Sequence, residues 1–421
     1  MTEGSSPSCS GAASDAVEVA GRAALGGMFA FASLVATCEV MAVVAFVLVR
    51  VYGLWSWAKI GLLTALLSLR ADMIATVHGS PMLSSGAAVG SRTLHIRFVP
   101  MLLTIGFLWL AARAGRRAAR TGSGRPTLVT ALLATAGAAV PVAILAVACS
   151  TLMDLSFPSL AVRVRVDAPS AALWAGILAA VGTGIGAYLE AARDRPSVAV
   201  LRGGSTAYGW GLGLLVVGVL VIATLEPTVT RKYVDGVAGV GAGGGVLLGF
   251  HILALPAQSA LLLAPASGSC VELLGEGSTY RLCPWRLIGS GPGGEVLLPD
   301  PVPLSPWFWL LSTAPFVAAM LGGRRAANGV TGARRAVGLG VAAGSAFAAL
   351  AGVGGWFVAP RWFTSPVVYP NPIPFSQITF HLDWGGTVVA ASIWGIAGGA
   401  LGAWLATRRY AEPELPRPTS A

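Results

Sequence analysis

Charged residues are scarce in this chain. Only 11% of its 421 residues are Asp, Glu, Lys or Arg, against about 25% in an average soluble domain. So few charges cannot cover a water-exposed surface of this size, which excludes a soluble globular enzyme. Hydrophobic residues make up 55% and recur in bilayer-length runs, which excludes a disordered chain. We therefore expect a polytopic membrane protein in contact with the lipid bilayer.

Histidine and cysteine are also rare, which limits the chemistry that the chain can perform. Its four His and five Cys show no metal-ligand spacing. The glycine-rich runs at 239–245 and 290–294 lack the Lys-Ser/Thr of a phosphate-binding loop, and no G-x-S-x-G occurs. We therefore predict no catalytic residues, no metal site and no cofactor. The net charge of +10 sits mainly in short connections, where it orients a membrane protein rather than binding nucleic acid.

Eight apolar stretches are long enough, or nearly so, to cross a bilayer. They are 24–49, 98–114, 127–149, 171–191, 205–225, 304–322, 337–358 and 387–407. Fifteen of the 26 arginines lie in four segments after alternate spans, namely 113–125, 193–202, 324–335 and 408–417. By the positive-inside rule these segments are cytoplasmic, so we predict a multi-pass plasma-membrane protein. Both termini are then cytoplasmic, with 1–21 and 410–421 as disordered tails.

Two further apolar stretches do not fit a simple count of crossings. Residues 244–264 lie between two segments that both face outside, and Pro256 divides them into two pieces of half-bilayer length. We predict a re-entrant hairpin there; the alternative is an arm lying flat at the interface. The segment 53–77, interrupted by Lys59, Arg70 and Asp72, either crosses or forms a non-crossing elbow.

An internal repeat favours the elbow. Residues 167–193 align without gaps on 383–409, matching Asp167 with Asp383, Gly182 with Gly398 and Gly186 with Gly402. Upstream, the segment GRRAAR at 115–120 matches GRRAAN at 323–328. An alternating stretch precedes each aligned helix and predicts a short extracytoplasmic strand. We therefore predict two parallel four-span repeats, 22–203 and 204–409, each with an elbow or hairpin after its first span.

Polar residues within the apolar stretches are the candidate functional groups. Glu39 lies mid-span, where a charged carboxylate costs roughly 2.5–3.5 kcal/mol unless paired, protonated or facing a cavity. It is either a proton or cation site or a neutral hydrogen-bonding group. The elbow adds Arg70 and Asp72, and the hairpin adds three residues that are either an intramembrane site or structural groups. Those three are His251, Gln258 and Ser259.

Cys270 and Cys283 bound one hydrophilic loop, SCVELLGEGSTYRLC, which parity places outside. An oxidising compartment permits a disulfide there, worth about 3 kcal/mol through loop-closure entropy. The predicted role of this bridge is structural.

Three stretches carry a resemblance to a known family. They are LLSLRADMIATVHGSPM at 66–82, RFVPMLLTIGFLWLAARAGRRAAR at 97–120, and LALPAQSALLLAPASGS at 253–269. In these the chain resembles an actinobacterial family of polytopic membrane proteins that includes the PerM-like cell-division proteins. It departs from that family at Ala257, where members tend to have Asn. The resemblance implies a non-enzymatic accessory role in cell division or envelope maintenance, with other membrane proteins of that machinery as partners.

The sequence therefore leads to two functional hypotheses. The first is a membrane scaffold or accessory protein, with a packed centre and exposed apolar faces for partner helices. The alternative is a transporter or channel that uses the hairpin and Glu39.

Overall fold

A computed structural model describes most of the chain. The described residues are 9–50, 53–78, 91–121, 127–157, 162–193, 195–227, 231, 244–275, 278–290, 302–303, 306–359, 361–365 and 377–410. The predicted tail 410–421 lies outside these ranges except for Tyr410. Residues 9–21 of the predicted N-terminal tail are helical, so the prediction of disorder is wrong for them.

Helices dominate the structure. The helices are α1 (Cys9–Val49), α2 (Leu54–Ser68), α3 (Met101–Ala119), α4 (Leu128–Leu152), α5 (Ala168–Ala191), α6 (Pro196–Leu225), α7 (Gly244–Ser267), a 3-10 helix (Pro306–Thr313), α8 (Ala314–Ala327), α9 (Ala333–Val358) and α10 (Trp384–Tyr410). The strands are β1 (Met73–His78), β2 (Ser91–Arg97), β3 (Asp154–Phe157), β4 (Val162–Val166), β5 (Val271–Gly275), β6 (Ser278–Cys283), β7 (Arg286–Ser290), β8 (Val302–Pro303), β9 (Arg361–Ser365) and β10 (Gln377–Leu382).

Six helices among the described residues are long and apolar enough to cross a membrane: α1, α4, α5, α6, α9 and α10. This fits an all-α, multi-pass membrane protein but not the predicted count of eight spans. The predicted span 98–114 lies in α3, whose 19 residues end in an arginine-bearing turn. The predicted span 304–322 begins as a 3-10 helix and leaves only 14 residues of α-helix in α8. The three arginines of α3, which lower its hydropathy, and the short length of α8 separate these two from the others.

The stretch 53–77 is a short helix followed by a strand. Helix α2 has 15 residues, about 22 Å at 1.5 Å per residue, which is less than the roughly 30 Å of a hydrocarbon core. The chain turns at Leu69 and Arg70 and then enters β1. A single helical crossing over 53–77, one of the two interpretations open from the sequence, is therefore wrong.

The predicted hairpin at 244–264 is also wrong. Helix α7 continues for 24 residues through both Pro256 and Pro265 and ends before Gly268. Proline removes one backbone hydrogen bond, but helices in membrane proteins tolerate it where neighbouring groups satisfy the freed carbonyl. The sequence interpretation treated Pro256 as a break when it is an internal helix residue.

The chain divides into two compact units. Unit 1 comprises residues 1–193, 234–255 and 360–378, and unit 2 comprises 194–233, 256–359 and 379–421, so α7 contributes to both. In unit 1, α1 packs on α2, α3 and α4, while α5 packs on α3 and α4. In unit 2, α6 packs on α8 and α9, while α10 packs on α8 and α9. The helices α1, α3, α4 and α5 of the first half of the chain thus correspond in order to α6, α8, α9 and α10 of the second half. Each set of four forms the same helix pairs.

Each unit carries antiparallel strands beside its helices. The strand order is β3-β4-β1-β2-β9 in unit 1 and β10-β5-β6-β7-β8 in unit 2. Val164 and Val166 of β4 are buried while Arg163 and Arg165 are exposed, as the alternating pattern predicts. Asp167 follows β4 and caps α5 by accepting from the Ser170 N–H at 2.9 Å.

Glycines set how closely the helices approach. A Cβ at Gly115 of α3 would lie 2.0 Å from the Thr183 carbonyl oxygen, and one at Gly186 of α5 would lie 1.9 Å from the Ala112 carbonyl oxygen. The aligned glycines of unit 2 do the same. A Cβ at Gly323 would lie 2.1 Å from the Gly399 carbonyl oxygen, and one at Gly402 would lie 1.9 Å from the Met320 carbonyl oxygen. Backbone therefore meets backbone where α3 crosses α5 and where α8 crosses α10.

We expect Gly115→Ala to lower the free energy of unfolding by about 1–3 kcal/mol, because its methyl group overlaps a backbone oxygen and the helices must separate. Gly106→Ala is the matched control on α3, since nothing lies within 4 Å of its Cβ position. Helix propensity should make that control neutral or stabilising by up to about 1 kcal/mol. Thermal unfolding of the detergent-purified variants measures both; equal losses would contradict the proposed contact.

Candidate functional site

Glu39 lies on α1 against α2. A Cβ at Gly61 would lie 3.0 Å from both Cδ and Oε2 of Glu39, so the carboxyl group covers the glycine backbone. The residue is half-buried. Among the described residues, no hydrogen bond or ion pair holds its carboxyl group. Its position at a helix–helix contact follows from the missing side chain at Gly61.

The end of α2 carries an unusual arginine. The Ala71 N–H donates to the Leu66 carbonyl at 3.1 Å and the Arg70 N–H donates to the Leu67 carbonyl at 2.8 Å, the two bonds of a Schellman motif. Arg70 therefore occupies the left-handed position, with φ 66°, that glycine usually fills. Helix α7 ends in the same motif with Gly268, φ 105°, at that position.

The Arg70 side chain is buried although it is charged. It is only 1% exposed, and its guanidinium carbon lies 3.9 Å from the centre of the Trp174 ring on α5. A desolvated cation over an indole face gains about 2 kcal/mol or more. This stacking offsets the roughly 1–2 kcal/mol that a non-glycine residue loses in the left-handed region.

Asp72 is held from two directions. Arg97, at the end of β2, donates to both carboxylate oxygens of Asp72, at 2.5 and 2.7 Å. The Asp72 N–H donates to Ser170 Oγ at 3.1 Å, and the Asp72 carbonyl accepts from the Asp167 N–H at 2.9 Å. We call the set Arg70, Asp72, Arg97, Ser170 and Trp174 the α2–β1 junction. It fastens the end of α2 and the start of β1 to β2 and α5.

The chemistry of this junction is structural. Both oxygens of the Asp72 carboxylate accept from Arg97, which orients the group and occupies the atoms that would bind a cation. Glu39 does not belong to the junction, because Gly61 lies nine residues before Arg70 on the chain, about 13 Å along a helix. The structure therefore brings Arg70 and Asp72 together at one end of α2 and leaves Glu39 apart from them.

The predicted site on α7 does not assemble as a hairpin tip. Ser259 is 2% exposed whereas the adjacent Gln258 is exposed, so the two side chains point to different sides of one helix. The side chain of His251 lies outside the described residues. No group of three His, Cys, Asp or Glu side chains that could hold a metal occurs in the part of the chain that the structure describes.

Cys270 and Cys283 form a disulfide. Val271 pairs with Leu282 across β5 and β6, so the two cysteines face each other at the next position of this antiparallel register. The bridge thereby fixes the register of a hairpin that leaves the end of α7.

An open cavity of about 740 Å³ lies in unit 2, and none of the predicted site residues lines it. It is lined by Thr206, Trp210, Leu321, Arg324, Arg325, Asn328 and Ala406. The arginines of this region were predicted only to orient the chain in the membrane, and no sequence pattern indicates the cavity.

The junction residues Arg97, Ser170 and Trp174 were also missed. They lie 25 or more residues from Asp72 or Arg70 along the chain, so no local pattern joins them. The one available signal was the presence of two opposite charges, Asp72 and Arg97, at the ends of neighbouring apolar segments.

We expect Asp72→Ala to lower the free energy of unfolding by about 3 kcal/mol, because it leaves Arg97 without its carboxylate in a largely buried site. Asp154→Ala is the control. It removes the exposed pair with Arg163 on β3 and β4, which solvent screens, so its effect should be much smaller. Unfolding curves in detergent distinguish the two; a small loss in Asp72→Ala would show that the junction contributes little.

Comparisons with family models, curated proteins and solved structures give no match to this chain.

Proposed function

We propose that this chain is a non-enzymatic scaffold or accessory protein of the plasma membrane that acts in cell division or envelope maintenance. The observation that carries the proposal is that the conspicuous polar groups Arg70 and Asp72 are engaged in contacts that fasten helices and strands to one another. A group already fixed by a guanidinium or an indole is a poor binding site for a moving ion or substrate. It is well suited to keeping a platform rigid.

The packing of small residues supports the same proposal. Buried Ala and Gly bring α3 onto α5 and α8 onto α10 at backbone distance. Such contacts leave little room for a water-filled path between these helices. A scaffold needs a rigid centre of this kind, because without a hydrophobic driving force in lipid its helices associate mainly through close packing.

Exposed apolar helix faces supply the surface that a partner would use. Along α1 the residues Phe29, Val40, Val44 and Leu48 are all more than half exposed. Lipid tails can cover such a face, and a partner helix can replace them.

We also propose the topology behind this assignment: two parallel repeats, with α3 and the 306–327 segment crossing beside the six long helices, and both termini in the cytoplasm. Support comes from the aligned glycines, which make equivalent backbone contacts in the two units. The identical set of helix pairs in each unit is further support.

Transport remains the second candidate because of Glu39. Its carboxyl group lies within a candidate span and forms no ion pair among the residues described. A proton or cation site has that character. The continuous course of α7 removes the hairpin on which this candidate also relied.

Complementation separates the two candidates. In a strain of the source organism that lacks this chain, Glu39→Gln should restore cell length and detergent resistance fully if the protein is a scaffold, since the amide keeps the shape and contacts of the carboxyl. Failure of Glu39→Gln at wild-type protein levels would contradict the scaffold and favour transport. The wild-type chain should also co-purify with a membrane partner at constant ratio, and solitary monodisperse protein would count against the proposal.

Cysteine accessibility tests the topology. On a background with Cys9, Cys38 and Cys149 replaced by Ala, we expect Ser156→Cys in β3 to react with a membrane-impermeant maleimide in intact cells. Thr331→Cys, between α8 and α9, should react only after the cells are opened. Both side chains are exposed, so burial does not confound the comparison. The reverse pattern would invert the orientation, and labelling of both positions from one side would exclude the proposed crossings.

A further inference from the structure

The two units differ where α5 and α10 end. In unit 1, Arg120 donates to the Glu190 carboxylate at 2.9 Å, and the Glu190 side chain is only 16% exposed. Arg116 and Arg193 also lie close enough to act on this carboxylate electrostatically. Unit 1 therefore supplies its own anion to the arginine-rich ends of α3 and α5.

Unit 2 keeps the arginines and lacks that anion. In the alignment of 167–193 with 383–409, Ala406 takes the place of Glu190, and in the GRRAAR/GRRAAN alignment Asn328 takes the place of Arg120. Arg324 takes the place of Arg116. The correspondence is geometric as well, because a Cβ added at Gly186 or at Gly402 would lie 1.9 Å from the matching carbonyl oxygen, of Ala112 or of Met320.

The open cavity lies where the carboxylate is missing. Ala406 and Asn328, which replace the ion pair of unit 1, both line it, together with Arg324 and Arg325. Its volume of about 740 Å³ is within the range of sites that hold a small organic ligand. The cavity is therefore an arginine-lined space at a position where unit 1 holds a carboxylate.

Charge at this cavity is uncompensated within the described residues. Neither Arg324 nor Arg325 forms an ion pair or hydrogen bond there. The carboxylates of the described part of unit 2 are Glu226 after α6, Glu272 in β5 and Asp383 before α10, so none belongs to the helix ends that line the cavity. The dipole of α8 favours arginines in its last turn, but the dipole of α3 does so equally. It does not account for the loss of the carboxylate.

We propose that this cavity binds the headgroup of an anionic phospholipid, whose phosphate takes the place that the Glu190 carboxylate has in unit 1. Arginine suits this role because its planar guanidinium donates two parallel hydrogen bonds to phosphate oxygens. A lipid rather than a free anion fits the remaining lining. Trp210, which is 52% exposed, and Leu321 also line the cavity. Their apolar surface can contact acyl chains, and the Trp210 indole is of the type enriched at the membrane interface.

Binding of short-chain phosphatidylglycerol to the detergent-purified full chain tests the proposal. Arg324→Gln with Arg325→Gln should weaken binding about tenfold or more, because two charge-assisted contacts are lost. Arg334→Gln with Arg335→Gln is the matched control, with the same change of charge on exposed residues of α9 that do not line the cavity. That variant should bind within about twofold of wild type. Equal weakening in both variants would show general charge attraction and overturn the site.

Ala406→Glu is the second variant. It restores the carboxylate of unit 1 at the cavity wall, so it should abolish phosphatidylglycerol binding while leaving the arginines in place. Ala406→Ser controls for added polarity and should bind like wild type. Unchanged binding in Ala406→Glu would overturn the proposal.

Two further ligands distinguish the source of the anion. Short-chain phosphatidylcholine should not bind, since its headgroup has no net charge, and inorganic phosphate should compete only weakly because it lacks acyl chains. Inorganic phosphate that binds as tightly as phosphatidylglycerol would show a free-anion site and overturn the lipid assignment. None of these outcomes depends on whether the protein is a scaffold or a transporter.

Discussion

Backbone contact between helices is the constraint on which the rest of this structure depends. Lipid tails are as apolar as the helices, so burying leucine against leucine gains little in a bilayer, and attraction must come from close packing. Here glycine supplies it. Gly115 and Gly186 in unit 1, and Gly323 and Gly402 in unit 2, leave no space for even a methyl group. The strands and helix ends are placed by these crossings, because each crossing fixes the angle at which the chain leaves the helix.

The α2–β1 junction shows how a polar group can serve this packing. At the end of α7 the left-handed position holds Gly268, the residue expected there, while at the end of α2 it holds Arg70. The arginine loses backbone freedom and solvation, and its stacking on Trp174 offsets part of that loss. A buried charge at a helix end is thus explained by geometry and does not by itself indicate catalysis.

Sequence patterns predicted the elements whose causes are local. The strand from Val162 to Val166 and the helix α5 follow from alternation and from a continuous apolar run. The course of α7 was not predictable in this way, because whether Pro256 ends a helix depends on neighbours that satisfy the freed carbonyl. The pairing of Asp72 with Arg97 and Ser170 depends on tertiary contacts between distant segments. The cavity at Arg324 is lined by Ala406, and the missing carboxylate there is apparent only from the comparison with Glu190 in unit 1.

The disulfide between Cys270 and Cys283 has a consequence for the order in which this protein is made. A thiol pair in the cytoplasm stays reduced, so in the proposed orientation the bridge closes only after the β5–β6 hairpin has been translocated. The helices α8 to α10 follow this hairpin in the chain, so a bridge that closes during synthesis fixes the register of the hairpin before they insert. The second half of the chain would therefore mature on an outer strand pair that can no longer slip, and the oxidation state of this one bond would report how far insertion has progressed.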